Sequence, residues 1–538
     1  MSEDEAALGR VVSVTGARVL AVRHRRSGGE PGGAPEPGIG TLVKIMTPGS
    51  VVFASISRLD IPLPASDSAE VEQCRFEAEF LGEALVNGPD RLAAFQRGVS
   101  VYPLLGDDVL ATTSDDLAHV YAQPDDGDDR ANVAVGTLHQ DRTLPAHLLT
   151  DDLLGKHFAV LGTTGSGKSC AVALILQAIL DRHPEGHVVL LDPHNEYADA
   201  FADSAEVLDP DTIQLPYWLL NFEESVEVLI AAEGPEREAE AAILKEAILA
   251  AKDRFRGAGR EAEPLTVDTP VPYRLGDLSR LLDEAMGKLD KAESSAPYLR
   301  LKARLEALRA DRRFAFMFPG LVVHDEMKAI LSRILRIPVG GKPITIVDLS
   351  GVPSEILDVV VSVLARMIFD FALWSERSRA LPVLLVCEEA HRYAPQDTGL
   401  GFEPTKKAIA RIAKEGRKYG VSLCLVSQRP SELAASVLSQ CNTIFALRMS
   451  NKRDHDFVRG VMPESALGLL DALPSLRNQE AIVVGEGVTV PLRLRFADLP
   501  ADRRPRGGTA PFSALWRREG ESEPFVAEVI DRWRRQER

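Results

Sequence analysis

The sequence predicts an α/β protein: an open, mostly parallel sheet carrying a phosphate-binding glycine loop and a helical insertion, preceded by a small N-terminal β-barrel. Three observations predict it. Gly162-Thr163-Thr164-Gly165-Ser166-Gly167-Lys168-Ser169 fits G-x-x-x-x-G-K-[ST] at every position. From Leu153 onward, short apolar runs alternate with helical ones, as parallel strands covered on both faces do. Before that, residues 9 to about 145 hold short runs of strand character separated by Gly and Pro turn signals.

Taken in order, Gly9 to Val22 alternates apolar and polar residues, and Ser27 to Gly38 is a Gly/Pro-dense loop. Thr41–Ile45 and Val51–Ile56 read as strands joined at Pro48-Gly49, and Phe76–Ala84 and Val99–Tyr102 continue the pattern. Asp125 to Asp129 is an acidic linker. This block carries no recognisable catalytic constellation, so its expected role is assembly or docking.

The core strands are expected at His157–Leu161, Val188–Asp192, Ile344–Leu349, Val383–Cys387, Ser422–Ser427 and Thr443–Leu447. Charged helical stretches, Glu236–Ala251 and Leu278–Arg309, form an insertion at about 221–330. Two more strands, Ala481–Val484 and Val488–Leu494, close the core. The basic, Gly/Pro-rich run Asp502–Gly508 follows, a strap to a neighbour or a loose tail, and then a helix from Pro524 to Arg535. The expected domains are therefore 1–145, 146–500 and a C-terminal tail with helix, 501–538.

Composition limits the function. The chain has 538 residues, 45% hydrophobic and 26% charged, with a net charge of -17, so any nucleic-acid contact must be a local basic surface. Five cysteines lack metal-ligand spacing, a reduced, cytoplasmic pattern. The acidic N-terminus is unlike a signal peptide. The longest apolar run, Leu357–Trp374, is interrupted by Asp358, Arg366 and Asp370, which predicts a buried helix and no membrane span.

The chemistry converges on one site. The apolar run Phe158–Leu161 precedes the glycine loop and a helical run, Ala171–Leu180, follows it. Gly162 through Gly167 let backbone N–H groups curl around an anion at a helix N-terminus. Lys168 then reaches the β- and γ-phosphates of ATP, and Ser169 can hold Mg²⁺. Val383–Cys387 ends in Glu388-Glu389, where Glu388 is placed towards Mg²⁺ and Glu389 as the general base. Asp192-Pro193-His194-Asn195-Glu196-Tyr197 brings Glu196 to the same end of the sheet, and Gln428, closing its strand, can sense the γ-phosphate or orient the attacking water. The helix Thr405–Tyr419 carries Lys406, Lys407, Arg411, Lys414, Arg417 and Lys418 against Glu415 alone. Arg417 is the candidate to complete a γ-phosphate site, in its own subunit or the next.

These pieces resemble the HerA family of the FtsK–HerA superfamily of ATPase motors. The matching segments are Gly162–Ser169, Asp192–Tyr197, Glu388–His391, Gly416–Gly420, Ser427–Pro430 and Asn442–Asp456, and Gly38–Lys44 with Arg97–Pro103 resemble the HAS-barrel that precedes the motor. The resemblance covers almost the whole chain and implies a RecA-like motor in a homohexameric ring, with ATP at subunit interfaces and DNA in the pore. It also implies a separate effector, a NurA-like nuclease or a Sir2-like enzyme, in DNA end processing or antiviral defence. Lys156 falls where some relatives carry an arginine acting across the interface, and Glu388 stands where many P-loop ATPases have aspartate. The leading function is an ATP-dependent DNA translocase or helicase. The alternative is an ATPase ring that assembles and regulates an effector without processive translocation.

Overall fold

The computed structural model describes residues 7–26, 38–61, 71–87, 92–121, 131–210, 212–213, 215–256, 264–288, 295–318, 323–352, 354–463, 466–507, 512–517, 520 and 523–535. The acidic linker 125–129 and most of the loop 27–38 lie outside them.

The N-terminal strands are β1 (Ala7–Val14), β2 (Arg18–Arg26), β3 (Leu42–Thr47), β4 (Ser50–Asp60), β5 (Val71–Leu85), β6 (Gln96–Arg97) and β7 (Asp108–Ala111). They pair in the order β2-β1-β7-β3-β4-β5, and β2 returns to β5 in an antiparallel register from Arg18↔Glu79 to Arg26↔Val71. Six strands thus close into a barrel, which removes free edges. Alternate side chains, among them Val11, Val19, Val43, Val52, Phe76 and Val109, point inward and are fully buried. Val99–Tyr102 is not a strand: β6 ends at Arg97, and the sixth barrel strand is β7, which was not expected.

The second sheet contains β8 (Asn132–Leu138), β9 (Pro145–Leu149), β10 (Phe158–Leu161), β11 (Val188–Asp192), β12 (Ala205–Leu208), β13 (Ile344–Asp348), β14 (Val383–Cys387), β15 (Val421–Ser427), β16 (Thr443–Leu447), β17 (Glu480–Gly485) and β18 (Leu492–Phe496). Its order is β12-β13-β11-β14-β15-β10-β16-β17-β18-β8-β9. The strands from β12 to β16 are mutually parallel, and the rest are antiparallel. Two expectations are corrected. β8 hydrogen-bonds to β18, so residues from about 131 belong to the larger sheet, and the barrel ends before 145. The last strand starts at Leu492, four residues later than expected.

Because successive strand residues face opposite sides, each parallel strand feeds two cores. Phe158, Val160, Leu190, Val386 and Val426 pack against the helix Lys168–Arg182. Ala159, Leu161, Leu191, Leu385 and Leu425 pack against Ser354–Trp374 on the other face. That double coverage explains why these strands read as unbroken apolar runs. Between β12 and β13 come the insertion helices Phe222–Leu229, Gly234–Arg256, Leu275–Met286, Ala296–Ala310 and Met327–Ile334. The stretch expected to be helical, Leu278–Arg309, holds two of these helices. The insertion shares the Ser354–Trp374 core and is pinned there by a buried pair: Arg366 donates to both oxygens of Glu224 (3.1 and 3.0 Å), and Ser362 donates to Glu224 Oε1 at 2.8 Å. Arg366, an interruption in the apolar run, is thus a paired core cation.

Barrel and motor are joined through Arg97, which donates to the carbonyls of Thr489 (2.6 Å), Gly485 (2.9 Å) and Val488. The basic segment after β18 lies on its own subunit. Arg506 N–H donates to the Glu196 carbonyl at 2.8 Å, and Gln177 donates to the Arg503 carbonyl at 3.1 Å. The helix Glu523–Arg535 exposes both its faces.

Candidate active site

The carboxyl ends of β10, β11, β14 and β15 meet at one place, as expected for a ligand site on an open α/β sheet. Gly165 and Gly167 adopt left-handed backbone angles (φ +74 and +97), which a side chain would strain. The helix Lys168–Arg182 begins at once, and its first N–H groups have no partner within it. The loop is braced from both neighbouring strands: Gly162 N–H donates to the Ser427 carbonyl (3.3 Å) and Thr163 N–H to the Arg448 carbonyl (3.1 Å). Ser166 Oγ donates to the Thr163 carbonyl at 2.7 Å.

Lys168 is buried, and its amine donates to the Thr163 carbonyl at 3.1 Å. Burial pulls its pKa down, while Glu388, Glu389 and Glu196 pull it up. Glu388 is buried and its pKa is pushed up to about 8, mainly by desolvation and then by the charge of Glu389. Tyr197, whose own pKa burial raises well above the ordinary phenol value, keeps its proton and donates to Glu388 Oε2 at 3.0 Å. Ser169 Oγ donates to Glu196 Oε2 at 2.6 Å.

Glu389 follows with left-handed angles (φ 53, ψ 43), rare for a residue with a side chain and a sign of function when found beside a pocket. Its Oε1 accepts from Gln428 Nε2, and Gln428 Oε1 accepts from Thr164 Oγ1. One hydrogen-bonded chain therefore runs from the glycine loop through Gln428 to Glu389. Glu389 Oε2 is buried and accepts no hydrogen bond among the described residues; His391 Nδ1 lies 3.3 Å away and His194 Nε2 lies 3.7 Å from Oε1.

The residues present fit ATP and Mg²⁺. A hard divalent cation takes oxygen ligands, and Ser169, Glu388 and Glu196 supply oxygens beside Lys168. A buried acid whose charge is opposed by burial and by a neighbouring acid is a site that a cation would relieve. Glu389 Oε2 is a free acceptor on a fixed carboxylate, which is what a general base needs.

The sequence-derived site assembles with one exception. Gly162 to Ser169, Glu196, Glu388, Glu389 and Gln428 meet; Arg417 does not. It lies in a short 3-10 turn, Gly416–Tyr419, at the amino end of β15, whereas Gln428 follows the carboxyl end. Seven strand residues separate the two ends by roughly 20 Å. Arg417 therefore cannot serve the site of its own chain. Lys156, before β10, shares that far end and is tied to Asp152 (2.7 Å) and to Glu486. The basic helix is also less free than its charge suggests. Lys406 pairs with Glu403 (2.7 Å), Lys407 with Glu223, and Arg411 with Asp370 (3.6 Å) while lying over the Phe369 ring. Lys414, Arg417 and Lys418 remain exposed. Sequence reading places His194 with Asp192 and Glu196 at the phosphate end of the sheet but gives no role to Tyr197 or His391; only their place in the runs Asp192–Tyr197 and Glu388–His391 signalled those two.

In strand order, β15 stands between the loop strand β10 and the acid strand β14. With the Glu389 carboxylate bonded to the glycine loop through Gln428, which follows that middle strand, the protein is an ATP-hydrolysing enzyme of the P-loop class. Residues 133–368 match the family described as Helicase HerA, central domain. The chain is 26% identical over 477 residues to the DNA double-strand break repair helicase HerA of Pyrococcus furiosus, covering 81% of this chain and 79% of that one. It is 25% identical over 433 residues to the protein of that name from Sulfolobus acidocaldarius, covering 80% of each. Among solved structures, VirB4 of Thermoanaerobacter pseudethanolicus has a TM-score of 0.48 at 18% identity, covering 70% of this chain and 98% of that one. The plasmid coupling protein TrwB with a non-hydrolysable ATP analogue has a TM-score of 0.48 at 15% identity, covering 73% and 95%. No described helix is long and apolar enough to cross a membrane.

Proposed function

We propose that this chain is the subunit of an ATP-driven DNA translocase or helicase, working as a homohexameric ring with ATP at the subunit interfaces and DNA in the pore. The observation that carries the reading is the division of the site: loop, acids and Gln428 at one end of the sheet, and exposed Arg417 at the other. Such a chain supplies a phosphate site with one face and an arginine with the opposite face. Relatives named as helicases, similar over about four-fifths of both chains, support DNA as the substrate.

In this reading the glycine loop and Lys168 bind the β- and γ-phosphates. Ser169 and Glu388 would hold Mg²⁺, which supplies charge neutralisation on the phosphates. Glu389 takes the proton of the attacking water at Oε2, and Gln428 fixes the carboxylate through Oε1. Arg417 of one subunit stabilises the charge that develops on the γ-phosphate bound by the next. Among the described residues no group of three or more His, Cys, Asp or Glu is placed to hold a metal ion. The barrel then docks a separate effector, a NurA-like nuclease or a Sir2-like enzyme, in DNA end processing or antiviral defence.

Light scattering and ATP hydrolysis, with and without duplex DNA, test the reading. A particle of six chains and DNA-stimulated hydrolysis are expected, and Lys168→Ala abolishes nucleotide binding. A fully active monomer would sink the ring. Stimulation by a co-purifying effector and none by DNA would replace the motor with a scaffold.

A further inference from the structure

The run Asp192–Tyr197 does more than bring Glu196 to the phosphates. Asp192 ends β11 fully buried, and its carboxylate accepts the backbone N–H groups of His194 (3.2 Å) and Tyr197 (3.0 Å). Asn195 turns the chain with left-handed angles (φ 52). The two residues after that turn then reach two different elements. Glu196 accepts from Ser169, on the glycine-loop helix, and Tyr197, fully buried, donates to Glu388, after β14.

We infer that Tyr197 is a positioning residue for Glu388, and that the capped turn 192–197 is a bracket holding Ser169 and Glu388 in register for the divalent cation. The inference rests on the ATPase reading above. Its physical basis is the length of the acid. Glutamate has one more rotatable bond than aspartate, and the angle about that bond must be fixed if the carboxylate is to meet a cation in one geometry. Nothing on its own backbone fixes it. A hydroxyl on a rigid, buried ring does, because the ring cannot follow the carboxylate if it swings away. Partners that orient a ligand in this way affect metal affinity by roughly 10- to 100-fold. Phenylalanine at 197 would fill the same volume and lack only the donor, so the contribution of the hydroxyl can be separated from that of packing.

The test is binding of a fluorescent ATP analogue to the full-length protein, titrated with Mg²⁺ and repeated in EDTA. Tyr197→Phe should raise the half-saturating Mg²⁺ concentration about tenfold and leave metal-free nucleotide affinity and the thermal midpoint unchanged. In a Glu388→Asp background the shorter acid falls short of the hydroxyl, so adding Tyr197→Phe should change the Mg²⁺ midpoint little, a non-additive pair. An unshifted Mg²⁺ midpoint in the single variant, or an equal loss of affinity with and without metal, overturns the inference. So does an additive loss in the double variant, which remains informative if Tyr197→Phe alone folds poorly. Failure of the wild type to show any Mg²⁺-dependent nucleotide binding would instead remove the ATPase reading itself.

Discussion

The two ends of the parallel sheet are built in opposite ways. At the carboxyl end the functional side chains are tied together in pairs, Thr164 to Gln428, Gln428 to Glu389, Ser169 to Glu196 and Tyr197 to Glu388, and Lys168 is tied to the Thr163 carbonyl. Of those groups Glu388, Glu389 and Tyr197 are buried, and the hydrogen bonds set their geometry before any ligand arrives. At the amino end of β10 and β15 the charged groups either neutralise local acids, as Lys156 does, or stand in solvent, as Arg417 does. A preorganised cluster needs no second chain to acquire its shape. An exposed arginine, free to move, gains a fixed role only when something docks against it. On the proposed reading, the difference marks which half of the site is complete in one chain and which half a neighbour completes.

Breaking the waiting half should have the largest effect. Arg417→Ala is expected to keep ATP affinity within about twofold and lower kcat by roughly 10³-fold, the scale set by arginines supplied in trans to phosphoryl transfer. Mixing the inactive Arg417→Ala chain with an inactive Glu389→Gln chain should restore part of the activity, since a mixed ring contains some interfaces with both groups intact. If mixing restores nothing while mixed rings form, Arg417 does not act across the interface.

This asymmetry was only half legible in the sequence. The glycine loop, Glu388, Glu389 and Gln428 could be placed because each ends a short apolar strand, and in a parallel sheet all strand ends on one side meet. Arg417 is separated from Gln428 by only ten residues, yet those residues are largely an extended strand, and extension carries the two to opposite edges. The boundary at 145 failed for a related reason: β8 and β9 are short and antiparallel like barrel strands, and only the pairing of β8 with β18, some 350 residues away, assigns them to the motor. Tyr197 sits in a motif without a role that sequence can assign, because a fully buried tyrosine looks like core until its hydroxyl is seen on Glu388. The left-handed angle at Glu389 has no sequence signal at all, since glutamate does not favour it.

Within the complete half, the two adjacent acids should separate cleanly. Glu389→Gln removes the proton acceptor and keeps the hydrogen-bonding shape, so turnover should fall roughly 10²-fold or more with nucleotide binding intact. Glu388→Gln should instead weaken Mg²⁺-dependent binding. It also has a pH signature in the nucleotide-free protein. Burial raises the Glu388 pKa from 4.5 to about 8, so the folded state holds a proton that the unfolded chain releases. The wild type is therefore favoured at low pH and loses stability through this group as pH rises from about 4.5 to about 8. Glu388→Gln should melt close to the wild type at pH 5 and above it at pH 8.5. A base-like loss of turnover in Glu388→Gln, with Glu389→Gln active, would reverse the two roles.

The smallest effect sharpens what else the exposed end does. Three cations of the basic helix are committed to acids of their own chain: Lys406 to Glu403, Lys407 to Glu223, and Arg411 to Asp370. Their charge is already balanced, so their removal should alter packing more than it alters attraction for a polyanion. Lys414 and Lys418 are exposed on either side of Arg417 and lie one helical turn apart. On a chain of net charge -17, the DNA of the proposed function has to be held by cations left unbalanced in this way. Every cation taken off a DNA phosphate lowers the salt dependence of binding by about one unit of slope. Lys414→Ala with Lys418→Ala should therefore weaken DNA binding roughly tenfold at moderate salt and flatten the log–log salt slope by about two. Basal ATP hydrolysis and ring size should stay as in the wild type. Lys406→Ala with Lys407→Ala is the control, and its slope should stay where it was. If instead the Lys414 and Lys418 pair leaves DNA binding unchanged and splits the ring, the exposed end of the sheet belongs to the neighbouring subunit alone, and DNA is held on another surface.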